Sequence, residues 1–353
     1  MHKIQIDRAG GYEQLRLAQV AELAVGPGQV RVAVQSIGVN FADCAVRMGL
    51  YASAKQYVGW PITPGFEVAG TVAELGEGVT DLQVGEPVLA LVRFGAYAGQ
   101  VVAPRAQVVR YPPAWNPQQA SGFAVPFLTA WYGLCHLAGA RPGQVVLVHS
   151  AAGGVGQALV QLGKAVGCVV IGVVRGAHKV QPVQELGCDV VIDKGAEDWV
   201  AAVQRAAPGG VDIALDANGV ETLRDSYRLL APAGKLVVYG FATMLQRGGN
   251  GRPNWPKLVW TWLRTPRFNP LDLTTENKSV MAFNLSFLFD KAEVLAEALQ
   301  FLLPLAQAGT LKPLATQSFP LEQASEAHRA LETGATVGKL VLTVAELGTS
   351  GGS

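Results

Sequence analysis

The chain has 353 residues, half of them hydrophobic and only 16% charged, with a formal net charge of +1. That length accommodates two domains of ordinary size, and the near-neutral balance supplies no global field to attract nucleic acid. No apolar run reaches the roughly 18 residues that a spanning helix needs, and Cys44, Cys135, Cys168 and Cys188 form no C-x-x-C pair.

The opening MHKIQIDRAGG has no apolar h-region, so no secretory signal is expected, and a reducing cytoplasm fits the cysteine usage. Residues 1–122 alternate short β-rich runs with Gly and Pro turns, as in QVRVAVQSIGV, FEVAGTVAELG and EPVLALV. That pattern predicts a small, mostly antiparallel barrel. Within it, GVNFADCAVRMGLY gathers Asn40, Asp43, Cys44, Arg47 and Tyr51 among apolar neighbours, a concentration that marks a candidate reaction site. If this stretch is helical, Asp43 and Arg47 also stand at i and i+4, where a structural ion pair forms.

From residue 123 to 289 the pattern changes. VVLVHS, VVIGVV, DVVID, VDIALDA and KLVVYG are continuous apolar runs, mostly separated by helical segments, and SVMAFNL is a sixth. Such runs predict a parallel sheet covered on both faces. The first strand leads into HSAAGGVGQALVQLG. Ala151, Gly153 and Gly156 fill the three small-residue slots of a dinucleotide fingerprint, and Ala152, Gly154 and Val155 complete the turn. Small residues let the backbone approach a pyrophosphate, and the following helix presents free N–H groups. The second strand ends in VVRGAHK, with Arg175 and Lys179 and no carboxylate for a ribose 2′-OH. Two cations there favour a 2′-phosphate, hence NADPH.

After the fifth strand, NWPKLVWTWLRTPRF sets Trp255, Leu258, Val259, Trp262 and Leu263 on one helical face, with Trp260 off it. From Phe241 to Leu271 there are five Lys or Arg and no Asp or Glu. The segment reads as a cap on the substrate cleft, a dimer contact or an interfacial membrane helix. Residues 290–353 hold a long apolar helix and the β run GKLVLTV. They are read as a return to the first domain, with a final strand lacking a parallel partner and a flexible tail, GTSGGS.

GVNFAD, RMGLY, PGFEVAGTV, HSAAGGVG, LDANGVETLRDSYRLLAPAGKLVVYG and the closing GKLVLTV together resemble one family. It is the zinc-independent quinone oxidoreductases, the zeta-crystallin-like branch of the medium-chain dehydrogenase/reductase superfamily. The resemblance spans nearly the whole chain and is nearest to the vesicle amine transport protein-like subfamily. It implies an α/β fold: a doubly wound Rossmann sheet plus a GroES-like barrel, with the substrate cleft between them and a homodimer formed through the sixth strand. It also implies that Thr129, Tyr239 and Phe283 line the cofactor cleft. Lys194 stands where relatives often carry Tyr and adds a cation near the adenosine phosphate, and Lys339 approaches the cofactor phosphates.

Zinc-dependent relatives place Cys at the position of Asn40, His at Phe66 and a third ligand near Val125, so no metal is expected. The five histidines show no paired spacing. Without a Lewis acid, alcohol oxidation is disfavoured, whereas quinones and enones accept hydride directly. In that chemistry Asn40 hydrogen-bonds a carbonyl or the ribose, and Tyr51 matches the acid of related enoyl reductases. Asp43 is a further catalytic candidate. The expectation is a cytoplasmic NADPH-dependent reductase of a quinone or enone, with no nucleic-acid partner. Two alternatives stay open: an enoyl-thioester reductase, and a nucleotide-binding protein that works mainly at lipid or membrane surfaces.

Overall fold

A computed structural model describes residues 1–245 and 250–345. Arg247, one of the five counted cations, and the GTSGGS tail lie outside the described residues. The expected parallel sheet has six strands. Their order in space is Val190–Asp193, Val169–Val174, Val145–His149, Val211–Asp216, Leu230–Val238 and Ser279–Ala282, each parallel to its neighbours. Successive side chains of a strand point to opposite faces, so both faces must be covered. Val146 and Val148 enter one core with Leu159 and Leu162 of the helix Gly154–Val166. Leu147 points the other way, into a core with Ile171, Val203 and Leu223. The strand order reverses beside Val145–His149, and that reversal opens a crevice at the carboxyl ends of the strands.

The barrel domain is built on the long strand Gln29–Val39. It pairs antiparallel with Glu67–Leu75, Gln100–Pro104 and Lys339–Thr343. The last strand therefore returns to the first domain, as expected. It differs from expectation in having a parallel partner as well, Thr316–Pro320.

Between residue 290 and that strand pair the chain packs where the two domains meet. Helix Ala292–Gln307 buries Leu295, Ala298, Leu299 and Leu302. Three of these, Ala298, Leu299 and Leu302, join Phe127, Leu128 and Trp131 in the core beside the parallel sheet. Leu311 and Leu314 join that same core, which also takes in Ala69, Leu89 and Leu91 of the barrel strands, and the chain rejoins the barrel sheet at Thr316. Among the described residues, no helix is long and apolar enough to cross a membrane.

Candidate active site

A cleft of about 1060 Å³ lies between the two domains. Of the residues expected from the sequence to form the site, all line it except Asp43, Cys44 and Arg47 of the polar cluster and Ala151 of the glycine turn.

The cofactor side begins at the glycine turn. Gly153 precedes the helix Gly154–Val166, whose first N–H groups face the cleft and have no intrahelical partner. Gly156 is needed for packing, because a Cβ there would sit 2.2 Å from the Ser150 carbonyl oxygen. Ala152 and Gly153 also carry the domain junction: Gly338 N donates to Ala152 O at 2.8 Å, and Gly153 bridges Gly338. Across the strand reversal, Ser150 Oγ donates to Asn218 Oδ1 at 2.8 Å. The loop bearing Asn218 is fixed by Asp216, whose buried carboxylate accepts from Asn218 N, Gly219 N and Thr222 Oγ1. Asn218 Nδ2 is a buried donor without a partner, on a residue that lines the cleft. Small residues, free helix N–H groups and an orphaned amide donor together fit a dinucleotide.

Further along, Arg175 is exposed at the cleft edge. Lys179 is mostly buried, with Nζ donating to Gly334 O at 2.5 Å. Lys194 lines the same end. Asp193 is taken up by the adjoining loops: its Oδ1 accepts from Gly176 N and Gly195 N, both at 2.8 Å. Those backbone bonds hold its carboxyl below the usual range, and it does not line the cleft. On the opposite wall Tyr239 and Phe283 stack at 6.3 Å, and Thr129 spends its hydroxyl on Val125 O.

The floor is polar. Lys339 Nζ lies 2.5 Å from Asn40 Oδ1 and 2.7 Å from Glu67 Oε1. Asn40 Nδ2 donates to Glu67 Oε1 at 3.0 Å and more weakly to Gly38 O at 3.3 Å, while Glu67 Oε2 accepts from Val125 N. The Lys339 ammonium is thus engaged by a buried carboxylate and an amide, and its stem passes beside the glycine turn at Gly154. Tyr51 packs edge-on to Phe66 and Phe94, and its hydroxyl donates to Asn284 Oδ1 at 2.7 Å. Burial is the largest influence on that phenol and pushes it up to about 12.

Asp43 and Arg47 correct the remaining expectations. Both are fully buried on helix Phe41–Arg47 and face away from the cleft. Asp43 caps its own helix, accepting from Asn40 N at 2.7 Å, and also from Gly65 N and Tyr97 OH. It positions Asn40 and does not touch the cleft. Arg47 pairs with Glu332 at 2.7 Å instead of with Asp43, and Tyr12 OH donates to the same carboxylate. Cys44, His328 and Glu332 bring ligand-type atoms within 4.8 Å of one another, but Arg47 occupies this cluster. Its Nη1 lies 3.1 Å from His328 Nδ1, so the guanidinium supplies the positive charge there. Sequence reasoning did not single out Asn218, Asn284 or Glu332. Asn218 was detectable in principle, since it follows a parallel strand at its carboxyl end, where ligands bind.

Residues 26–113 match the family model described as alcohol dehydrogenase GroES-like domain, and residues 186–342 match one described as zinc-binding dehydrogenase. The synaptic vesicle membrane protein VAT-1 homolog of Rattus norvegicus is 35% identical over 335 residues, covering 94% of this chain and 81% of that protein. The chain belongs to the medium-chain dehydrogenase/reductase superfamily, in its VAT-1-like branch. The NADPH complex of Escherichia coli quinone oxidoreductase superposes with a TM-score of 0.83 at 27% identity, over 97% of this chain and 100% of that one. The CurK enoyl reductase structure gives 0.83 at 25% identity, over 97% and 99%. The superfamily's zinc does not fit here. Asn40 and Phe66 offer neither thiolate nor imidazole, and Glu67 is already held by Lys339.

Proposed function

We propose that this chain is a metal-independent, NADPH-dependent reductase that delivers hydride to a quinone or an α,β-unsaturated carbonyl. One observation carries the reading: a floor of Asn40 and Lys339, backed by the buried Glu67, lies with Tyr51 and Asn284 beside a small-residue turn in an otherwise apolar cleft. Bound dihydronicotinamide supplies the hydride and leaves as the oxidised cofactor. The protein must place the acceptor, exclude water and meet the negative charge that develops on the acceptor oxygen.

Asn40 has its amide oriented by Lys339, and its long bond to Gly38 O is the one a substrate carbonyl can replace. Tyr51 keeps its proton throughout the neutral range and can turn from Asn284 to protonate an enolate, after which solvent restores the proton. A hydroquinone anion is a weaker base and needs less of this help. Arg175 at the cleft edge supports NADPH over NADH. The four free cysteines suit a cytoplasmic protein. Among the described residues, strand Ser279–Ala282 has one neighbour in its sheet, an open edge on which two copies can pair into a homodimer.

The likeness to CurK enoyl reductase favours a second reading, reduction of an enoyl thioester by the same hydride chemistry. The experiment is a panel of an ortho-quinone, a para-quinone, an acyclic enone and a crotonyl thioester, followed by loss of NADPH absorbance. Turnover of the thioester alone would establish the second reading. NADPH binding without any turnover would favour a non-catalytic role at lipid surfaces.

A further inference from the structure

The excursion between strands Leu230–Val238 and Ser279–Ala282 carries the helix Trp255–Arg264. Its root is strapped to the barrel domain. Arg47 Nη2 donates to Gly251 O at 2.8 Å, and Arg252 Nη2 meets Glu13 Oε1 at 2.9 Å. Gly251 lies on the Tyr12 ring, where a Cβ would come within 2.8 Å, and its φ of +72° suits glycine. Beyond the helix, Phe268 packs against Tyr227 with ring centroids 5.2 Å apart, which ties the other end to the parallel-sheet domain. The helix is therefore held across the cleft from both sides.

Trp255, Leu258, Val259 and Trp262 line the same cleft as Tyr51 and Asn284. Trp255 is 62% exposed and Trp262 64%, so among the described residues no element covers this wall. Trp260 points elsewhere, with the Arg264 guanidinium 5.6 Å from its ring. The cleft is thus sorted into a polar floor and an apolar wall. Its volume of about 1060 Å³ is at the top of the range for small-molecule sites.

We propose that this wall is a subsite for an apolar tail, and that the acceptor is an amphipathic quinone or enone. Its carbonyl head sits on the floor, and an alkyl, prenyl or aryl tail lies along Trp255 and Trp262. This rests on the reductase reading. The cleft continues without interruption from Tyr51 to the wall, which favours a substrate tail over a second copy or a bilayer as the cover.

The test uses the full chain, NADPH and para-quinones carrying alkyl tails of increasing length. Each methylene buried should raise kcat/KM by up to roughly fourfold, from about 0.8 kcal/mol. In Trp255→Ala/Trp262→Ala the ratio of long-tail to short-tail kcat/KM should fall toward one. Both side chains are exposed, so this variant leaves the core intact. An unchanged ratio would overturn the proposal, as would a wild type indifferent to tail length. Calorimetric binding of the matching alkyl hydroquinones separates the two readings. Tail-dependent binding without turnover keeps the subsite and removes the reductase. Turnover without tail dependence does the reverse. A dimer, or vesicle co-sedimentation, that the double variant abolishes while tail dependence survives would assign the wall to that other cover.

Discussion

Lys339 Nζ and Glu67 Oε1 lie 2.7 Å apart across 272 positions of sequence, with side chains 4% and 1% exposed. Removing one partner of such a pair strands the other charge, at a cost of about 3–5 kcal/mol. Lys339→Met should lose about that much. Glu67→Gln should lose somewhat less, because its amide oxygen still accepts from Val125 N. The two changes together should lose clearly less than their sum. Urea unfolding of the two single variants and the double variant measures the coupling, and additive losses would mean the pair does not interact.

The cofactor prediction separates two cations that look alike in sequence. Arg175 is exposed beside the cleft, whereas Lys179 is mostly buried and bonded to the Gly334 carbonyl. Arg175→Ala should weaken NADPH by roughly tenfold to a hundredfold, about 1.5–3 kcal/mol, and leave NADH nearly unchanged. Lys179→Ala should weaken both cofactors and lower stability, since its loss disturbs the loop at Gly334. Titration of both variants with both nucleotides measures this, and a wild type that binds NADH as tightly as NADPH would remove the phosphate role.

The parallel sheet was readable because strands covered on both faces must be apolar at every position, and Val146, Leu147 and Val148 meet that demand. The glycine turn was readable because its spacing is local. Arg47 was misassigned for the opposite reason. Helical spacing offered Asp43 as its partner, but a fully buried guanidinium needs several acceptors. Those come from Glu332, His328 and the Gly251 carbonyl, each more than 200 positions away. Nothing local in the sequence encodes such a meeting. Helix Ala292–Gln307 has a related limit: its apolar face shows that it packs, but not that its core takes in residues of both domains, Phe127 and Val148 as well as Leu89 and Leu91.

Tyr51 yields a prediction about substrates. Its phenol is raised to about 12, chiefly by burial, so it stays protonated across the working range. Tyr51→Phe should cut enone turnover by roughly a hundredfold or more, a typical contribution from a positioned acid. Quinone turnover should fall far less. In the wild type, kcat for enones should show no decline attributable to this group below about pH 10. Equal small losses on both substrates would make Tyr51 a residue that only positions the acceptor.

Asp43 gives the pH prediction. Full burial raises its carboxyl from 3.8 to about 7, against the opposing pull of the bonds from Asn40 N, Tyr97 OH and Gly65 N. Between those two values the folded chain holds a proton that the unfolded chain has released. Its contribution to stability is therefore fully present below 3.8 and is lost as pH rises through about 7. Asp43→Asn mimics the protonated carboxyl and does not titrate. The stability lead of wild type over Asp43→Asn should shrink as pH is raised from about 4.5 to about 8. Chemical unfolding of both proteins across that range measures the lead. A constant lead would mean that the folded carboxyl does not titrate above the unfolded one, and that its bonds to Asn40 N and Gly65 N at least offset its burial.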